Sequence, residues 1–444
     1  MMKLMFMLVM LIYMCGFKKN KFYYLSMNLL MILFYLILSL NFNNYYMMIY
    51  SGLGLDLISS SLVLLTLWIF MLVVLTSWFL DNSNYYYILI LLSVVLIFSF
   101  SVLNFFMFYI FFEISLIPVY LIIMGWGYQP ERVKASFYMF IYTLIFSLPF
   151  LFMLFILFCL NKSLNFIFLD KFLFNSLSLI WGVVYFFMFM GFFVKLPLFM
   201  VHSWLPKAHV EAPVSGSMIL AAVMLKLGGY GVIRLLPLMN WMFILINDLV
   251  ICLCFVGILM LSATCVRLYD MKIIVAYSSV VHMGMMLVGM LLMNKVSAAG
   301  GFLMMISHGL CSSGMFLMVN FFYDRYHSRN IYIIKGGGML NSSLMLLWFL
   351  LCVDNMGAPI SLNLLSEVYI VLTILKWSKL ILIMLIFCMF FSALYNLYLF
   401  SFSSHGKECS LVGKINNNNI LEYFLLLMHL IPLNLLILKV NLLY

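Results

Sequence analysis

The chain has 444 residues, of which 67% are hydrophobic and 8% charged, against roughly 25% charged in an ordinary soluble domain. That balance excludes a water-soluble enzyme. The formal net charge of +10 does not make a nucleic-acid binder either, because the 23 Lys and Arg are scattered singly between apolar runs and form no basic face. The nine Cys contain no CxxC pair and read as small buried hydrophobes, implying neither a disulfide nor a zinc site.

At about 20 residues per crossing, the apolar runs divide into about fourteen membrane-spanning helices. They lie near residues 2–16, 23–42, 55–79, 85–103, 104–125, 135–160, 178–205, 213–236, 243–265, 273–293, 298–322, 339–372, 378–402 and 421–440. The opening MMKLMFMLVMLIYMCGF reads as the first helix, since no small-residue cleavage site separates it from the next run. No Arg-rich, Ser-rich transit peptide is present. The abundance of Met, Phe and Tyr, with the run Asn416–Asn419, points to an AT-rich coding sequence and to synthesis inside mitochondria, which the coding DNA would test.

An even number of spans puts both termini on one side. The larger share of Lys and Arg follows odd-numbered spans, as in Lys18, Lys19, Lys21, Arg132, Lys134, Lys207, Arg267, Lys272, Arg325, Arg329, Lys335, Lys407 and Lys414. By the positive-inside rule both termini therefore face outward, multi-pass.

Two spans carry helix breakers. The seventh has Pro197 just after Lys195, then Pro206 and Pro213; the twelfth has Asp354, Asn355, Gly357 and Pro359 before an apolar run that continues to Glu367. A proline lacks the backbone donor and clashes with the preceding turn, so each span bends or unwinds there. Broken helices five spans apart are the usual trace of an inverted repeat. The expected architecture is an all-α polytopic membrane protein with two inverted five-helix repeats. Residues 1–84 hold N-terminal helices, 85–236 the first repeat, 237–402 the second, and 403–444 a C-terminal loop and last helix.

Function should lie with the ionisable groups inside the spans, because a charge at the bilayer centre costs about 2.5–3.5 kcal/mol and calls for a partner or a watery cavity. Glu113 lies within its apolar run and is too short to snorkel. Lys195 sits toward one end of its span, beside the kink, with Glu113 as its candidate partner. Lys226 is mid-span in ILAAVMLKLGGYG, among small residues that allow close helix approach. A buried lysine facing a carboxylate trades a proton readily when the neighbour's charge changes, as a proton relay requires.

On a continuous helix Lys195, His202 and His209 would stack along one face at seven-residue spacing, although Pro206 weakens that geometry. A metal site from His202, His209 and Glu211 has the wrong spacing for one ion. His209 and Glu211 alternatively belong to a polar loop at the membrane surface. His282 and His308 are lone intramembrane histidines, either hydrogen-bonding across helices or shuttling protons. His327, His405 and His429 read as interfacial. Glu367 follows Pro359 by eight residues, within the second half of the broken span, and mirrors Lys195.

Five segments carry a resemblance: GWGYQPERVKAS at 125–136, VKLPLFMVHSWLPKAHVEAPVSGSMILAAVMLKLGGYG at 194–231, IVAYSSVVHMG at 274–284, SHGLCSSGMF at 307–316 and NLLSE at 363–367. They resemble the antiporter-like membrane subunits of NADH:ubiquinone oxidoreductase, respiratory complex I, in the mitochondrially encoded chain 4 branch. Glutamate rather than lysine at 367, and the absence of a long C-terminal lateral helix, favour that branch over chain 5. Ser366 stands where the family commonly has glycine.

The resemblance implies a proton-translocating subunit of an NADH:ubiquinone reductase, holding no redox centre and binding no cofactor itself. The assembled complex would use NADH, flavin, iron–sulfur clusters and ubiquinone. By the family pattern, Glu113 and Lys195 form the ion pair of the first half, Lys226 the central relay, His308 the relay of the second half, and Glu367 the terminal group. His202, His209 and His282 are further candidates. The implied setting is the mitochondrial inner membrane, with both termini toward the intermembrane space. The implied partners are other membrane-arm subunits, antiporter-like chains among them, and phospholipid, with no nucleic acid. A cation/proton antiporter subunit is the alternative. A structural spacer would tolerate neutral Lys195 and Lys226, and a haem or quinone subunit would need facing histidine pairs.

Overall fold

The computed structural model describes residues 47–50, 52–77, 82–169, 179–238, 244–406 and 419–442, together with Leu29 and Ile32. The first two expected spans lie otherwise outside these residues. Among the described residues, ten helices are long and apolar enough to cross a membrane, joined by two shorter apolar helices, Gly182–Lys195 and Ser342–Asn355. These twelve coincide with the third to fourteenth expected spans, and the two short ones open the spans in which breaks were expected. Among the described residues the one sheet is a small antiparallel pair, β1 (Met47–Tyr50) with β2 (Leu53–Leu55), turned at Gly52 with φ +83°.

The chain divides into two compact units. The first comprises residues 1–196, 211–248 and 441–444. Its helices are α1 (Leu57–Thr76), α2 (Ser83–Ser101), α3 (Phe105–Ile114), α4 (Leu116–Trp126), α5 (Arg132–Asn161) and α6 (Leu179–Lys195). Past the break come α7 (Trp204–Glu211), which apart from Glu211 belongs to the second unit, and α8 (Val214–Leu235). Asp56 starts α1 with a capping box: its carboxylate accepts from the Ser59 N–H at 2.9 Å, and the Ser59 hydroxyl accepts from the Asp56 N–H at 2.8 Å. The same carboxylate pairs with Arg234 of α8 at 2.6 Å. Burial raises the Asp56 carboxyl, but the Arg234 charge and the Ser59 bonds outweigh it and hold it below its usual range.

The core of the first unit is aromatic. Phe192 of α6 packs on Phe150 of α5 and Phe112 of α3 at centroid distances of 4.9 and 5.6 Å. Gly228 and Gly231 let α8 approach α6 closely: a Cβ at Gly231 would stand 2.2 Å from the Phe192 ring, and one at Gly228 would stand 3.1 Å from the Phe192 carbonyl oxygen.

The second unit comprises residues 197–210 and 249–440. It holds most of α9 (Ile244–Cys265), then α10 (Met271–Leu291), α11 (Lys295–Tyr326), α12 (Ser342–Asn355), α13 (Leu362–Trp377), α14 (Leu382–Ser404) and α15 (Ile420–Leu435). The most apolar stretch of α11 is buried throughout, so this helix forms the unit's axis. Close approach again uses glycine: Gly300 of α11 lies against the Ser366 carbonyl of α13, and Gly314 against His429 of α15.

Both breaks have the same form. After α6 the chain turns through Met200 (φ +81°), and after α12 through Ile360 (φ +75°). These left-handed, non-glycine positions are 73% and 72% exposed, a strained conformation that regular helix does not contain.

Candidate functional site

In the first unit three ionisable side chains are brought inside the helices. Ser115 separates α3 from α4, and the Phe112 carbonyl, in the last turn of α3, turns to side-chain donors. It accepts from the Lys195 ammonium at 2.8 Å and from the Ser115 hydroxyl at 2.7 Å. The ammonium also sits 3.0 Å from the centroid of the Phe112 ring. The next residue is Glu113, close enough to feel the Lys195 charge although neither of its carboxylate oxygens has a hydrogen-bond partner. The two residues expected to pair thus lie in the same part of the unit, but the ammonium rests on Phe112 and makes no direct contact with the Glu113 carboxylate. Lys195 is 3% exposed, and its charge is met by the Phe112 carbonyl and ring.

Lys226 is fully buried and donates to the Ala221 carbonyl at 2.6 Å. That bond follows from a π turn at Leu220–Met224, where the Leu225 N–H reaches back to the Leu220 carbonyl. The Ala221 carbonyl, which Leu225 would hold in regular helix, is left to the lysine. Such single π turns recur at functional positions.

In the second unit the groups form a short chain. His282 Nδ1 of α10 lies 3.5 Å from the Glu367 carboxylate of α13. The other ring nitrogen, Nε2, is 3.4 Å from the Tyr395 hydroxyl of α14. Its ring is 5.7 Å from that of His308 on α11. All four residues are buried. His282 thus bridges between Glu367 and His308, contacts that one helix cannot make alone.

His202 and His209 depart from the expected stack with Lys195. The chain leaves helix between Lys195 and Trp204, so His202 lies in the break and His209 in α7, both within the second unit. His202 stacks on Phe199 at 5.6 Å and His209 on Phe316 at 4.5 Å. The polar-loop alternative for His209 and Glu211 is corrected: they are 0% and 5% exposed. His429, read as interfacial, is buried too, with its Nδ1 2.8 Å from the Leu425 carbonyl. His327 and His405 are exposed at helix ends.

Sequence reasoning did not single out Tyr395 or the amides at the second break. There the Asn355 amide donates to Asn396 at 2.9 Å, and the Asn363 amide to the Asp354 carbonyl at 2.8 Å. Among the described residues no three His, Cys, Asp or Glu are grouped to hold a metal.

Helices that cross a membrane many times, with acids, amines and imidazoles partnered inside them, define a polytopic membrane protein of the ion-translocating kind. Residues 102–393 match the family model described as NADH:quinone oxidoreductase/Mrp antiporter, TM, and residues 1–102 the one described as NADH-ubiquinone oxidoreductase chain 4, amino terminus. The chain is 45% identical to the NADH-ubiquinone oxidoreductase chain 4 of Ceratitis capitata, over 93% of each chain. It is also 45% identical to that of Aedes aegypti, over 99% of each. A structure of respiratory complex I from Thermus thermophilus contains a chain of the same fold, with a TM-score of 0.85 at 21% identity over 97% of this chain and 94% of that one. The chain belongs to the NADH-ubiquinone oxidoreductase chain 4 family.

Proposed function

We propose that this chain is a proton-translocating, antiporter-like subunit of the membrane arm of respiratory complex I, where it helps couple electron transfer from NADH to ubiquinone to proton pumping. The observation that carries this reading is the placement of Lys195 and Lys226. Both are buried, and both rest on backbone carbonyls made available by irregular helix instead of reaching for the surface. Such lysines hold or release a proton according to the charge beside them.

In the proposed mechanism a change of charge arriving along the membrane arm opens or closes the Glu113 and Lys195 pair. That change alters the proton affinity of Lys226, and protons leave by way of His308, with His282 alongside, to Glu367. His202 and His209 serve the same relay as secondary groups. Moving a charge against 100 mV costs about 2.3 kcal/mol. A one-unit change in proton affinity supplies about 1.4 kcal/mol, so shifts of one or two units suffice.

Electron transfer belongs to other subunits, which bring NADH, flavin, iron–sulfur clusters and ubiquinone; this chain binds none of them. Its neighbours are other membrane-arm subunits, including antiporter-like chains, and phospholipid. It resides in the mitochondrial inner membrane with both termini in the intermembrane space, an orientation supported by the distribution of Lys and Arg. Residues 85–236 and 237–402 form the inverted repeats, supported by the matching turns at Met200 and Ile360.

Native electrophoresis of the mildly solubilised mitochondrial inner membrane tests this reading. The chain is expected in a large band that oxidises NADH, with tagged termini cleaved by protease added outside intact inner membranes. A small band without that activity, showing sodium-dependent transport that needs neither NADH nor quinone, would establish a cation/proton antiporter instead.

A further inference from the structure

Where α12 begins and α14 ends, a groove of about 520 Å³ opens on the outside of the second unit. One wall is the face of α12 that carries Ser342, Leu346 and Phe349 at helical spacing; the other is the end of α14, with Phe400 and Ser404. Leu346 is 58% exposed and Phe349 41%, an apolar surface that favours contact with hydrocarbon over water. The floor is the pair Phe349 and Phe400, whose ring centroids are 4.9 Å apart. Phe349 stands seven residues along α12 from Ser342, about 10 Å down the helix axis. The groove is thus a slot that runs from the ends of two apolar helices toward the middle of the unit.

The mouth of the slot is polar and basic. The Gly336 N–H donates to the His405 carbonyl at 3.3 Å, and Gly338 lies so close to the end of α14 that a Cβ there would stand 2.8 Å from the Ser404 carbonyl oxygen. Backbone contacts therefore fix the two rims against each other, with Ser342 and His405 exposed on them. Lys335 passes beside Gly406, where a Cβ would lie 3.6 Å from the lysine Cβ. Its ammonium is steadied by the Tyr332 and Phe402 rings at 4.7 and 5.6 Å, and it makes no ion pair among the described residues. The Ser343 and Tyr423 hydroxyls are 2.6 Å apart, so Glu422 stands at this end too, but its carboxylate is taken by Arg325.

We propose that this groove binds an anionic phospholipid, with its phosphate against Lys335 and His405 and one acyl chain lying over Leu346 on the floor of Phe349 and Phe400. The basic mouth and the apolar slot match the two halves of such a molecule in the order a bilayer presents them, headgroup at the helix ends and chain toward the middle. Basic pockets between membrane helices select anionic headgroups in this way. A zwitterionic phospholipid would fill the slot but bring a second cation beside Lys335, and a free phosphate would leave Leu346 bare. The inference does not use the proton relay, none of whose residues lines the groove.

The test uses the assembled complex in phosphatidylcholine bilayers. They contain a trace of phosphatidylglycerol with a photoreactive diazirine in mid-chain or, in parallel, phosphatidylcholine carrying the same group. Mass spectrometry then identifies the labelled peptides. The segment Ser342–Phe349 is expected to be labelled more strongly by the anionic probe. Lys335→Gln, in complex whose assembly native electrophoresis confirms, should lower that labelling about fivefold, the effect of one basic residue on an anionic lipid. Equal labelling by the two probes would reduce the groove to ordinary bilayer contact and overturn the inference. Absence of label from this segment would mean that protein fills the groove and would overturn it too. Where Lys335→Gln does not assemble, Leu346→Trp, which fills the slot and keeps the charge at the mouth, carries the test: loss of the anionic label on the peptide containing Phe400 supports the site, and unchanged label overturns it.

Discussion

Lys226 keeps its charge inside the first unit because one turn of α8 is wound wide and gives it the Ala221 carbonyl. Lys226→Met retains the buried stem and removes the ammonium. It is expected to assemble and to lose most proton translocation per NADH, measured by a pH-sensitive dye in proteoliposomes. Wild-type yield would make Lys226 structural. The ionisable candidates were legible in the sequence because Glu, Lys and His inside apolar runs stand out against their surroundings. Their partners were not. Tyr395 is a residue type common in spans, and the Phe112 and Ala221 carbonyls belong to the backbone, so only the fold reveals which of them a titratable group meets.

Among elements, proline signals were informative only in context. Pro197 and the pair Gly357 and Pro359 mark the two breaks, whereas Pro149 lies within α5 and Pro432 within α15 without ending either helix. What distinguishes the second break is the combination of proline with polar residues that take up the freed backbone. At the second break Asn363 does so directly, holding the Asp354 carbonyl. The π turn of α8 had no such mark, since LAAVM is ordinary helix-forming sequence. Helix packing makes its own prediction. A Cβ at Gly231 would drive into Phe192, whose ring is fixed by Phe108, Phe112 and Phe150 and cannot retreat. Gly231→Ala is therefore expected to destabilise the first unit by about 1–3 kcal/mol. Heat inactivation of the solubilised complex would read this as a lower midpoint, and an unchanged midpoint would mean that α8 and α6 pack more loosely.

Across the whole molecule, each unit owns a buried group of titratable residues. The first unit is also tied by the Asp56 and Arg234 pair, both side chains 10% exposed. Breaking a buried pair by removing one charge costs about 3–5 kcal/mol, so Asp56→Asn should lower the heat-inactivation midpoint by more than Gly231→Ala does. Because the folded Asp56 carboxyl is held below its unfolded value, its stabilisation is complete above the unfolded value and is lost as pH falls through the folded one. The difference between wild type and Asp56→Asn should accordingly shrink on acidification below the ordinary carboxylate range, and a constant difference would refute the charge-pair account. The central claim is that protons pass through the intramembrane acid and lysines, and it is tested most directly at Glu113. Proton translocation per NADH should be abolished in Glu113→Gln and largely retained in Glu113→Asp, both reconstituted in proteoliposomes. Equal translocation by the two variants would contradict the account and take Glu113 off the path.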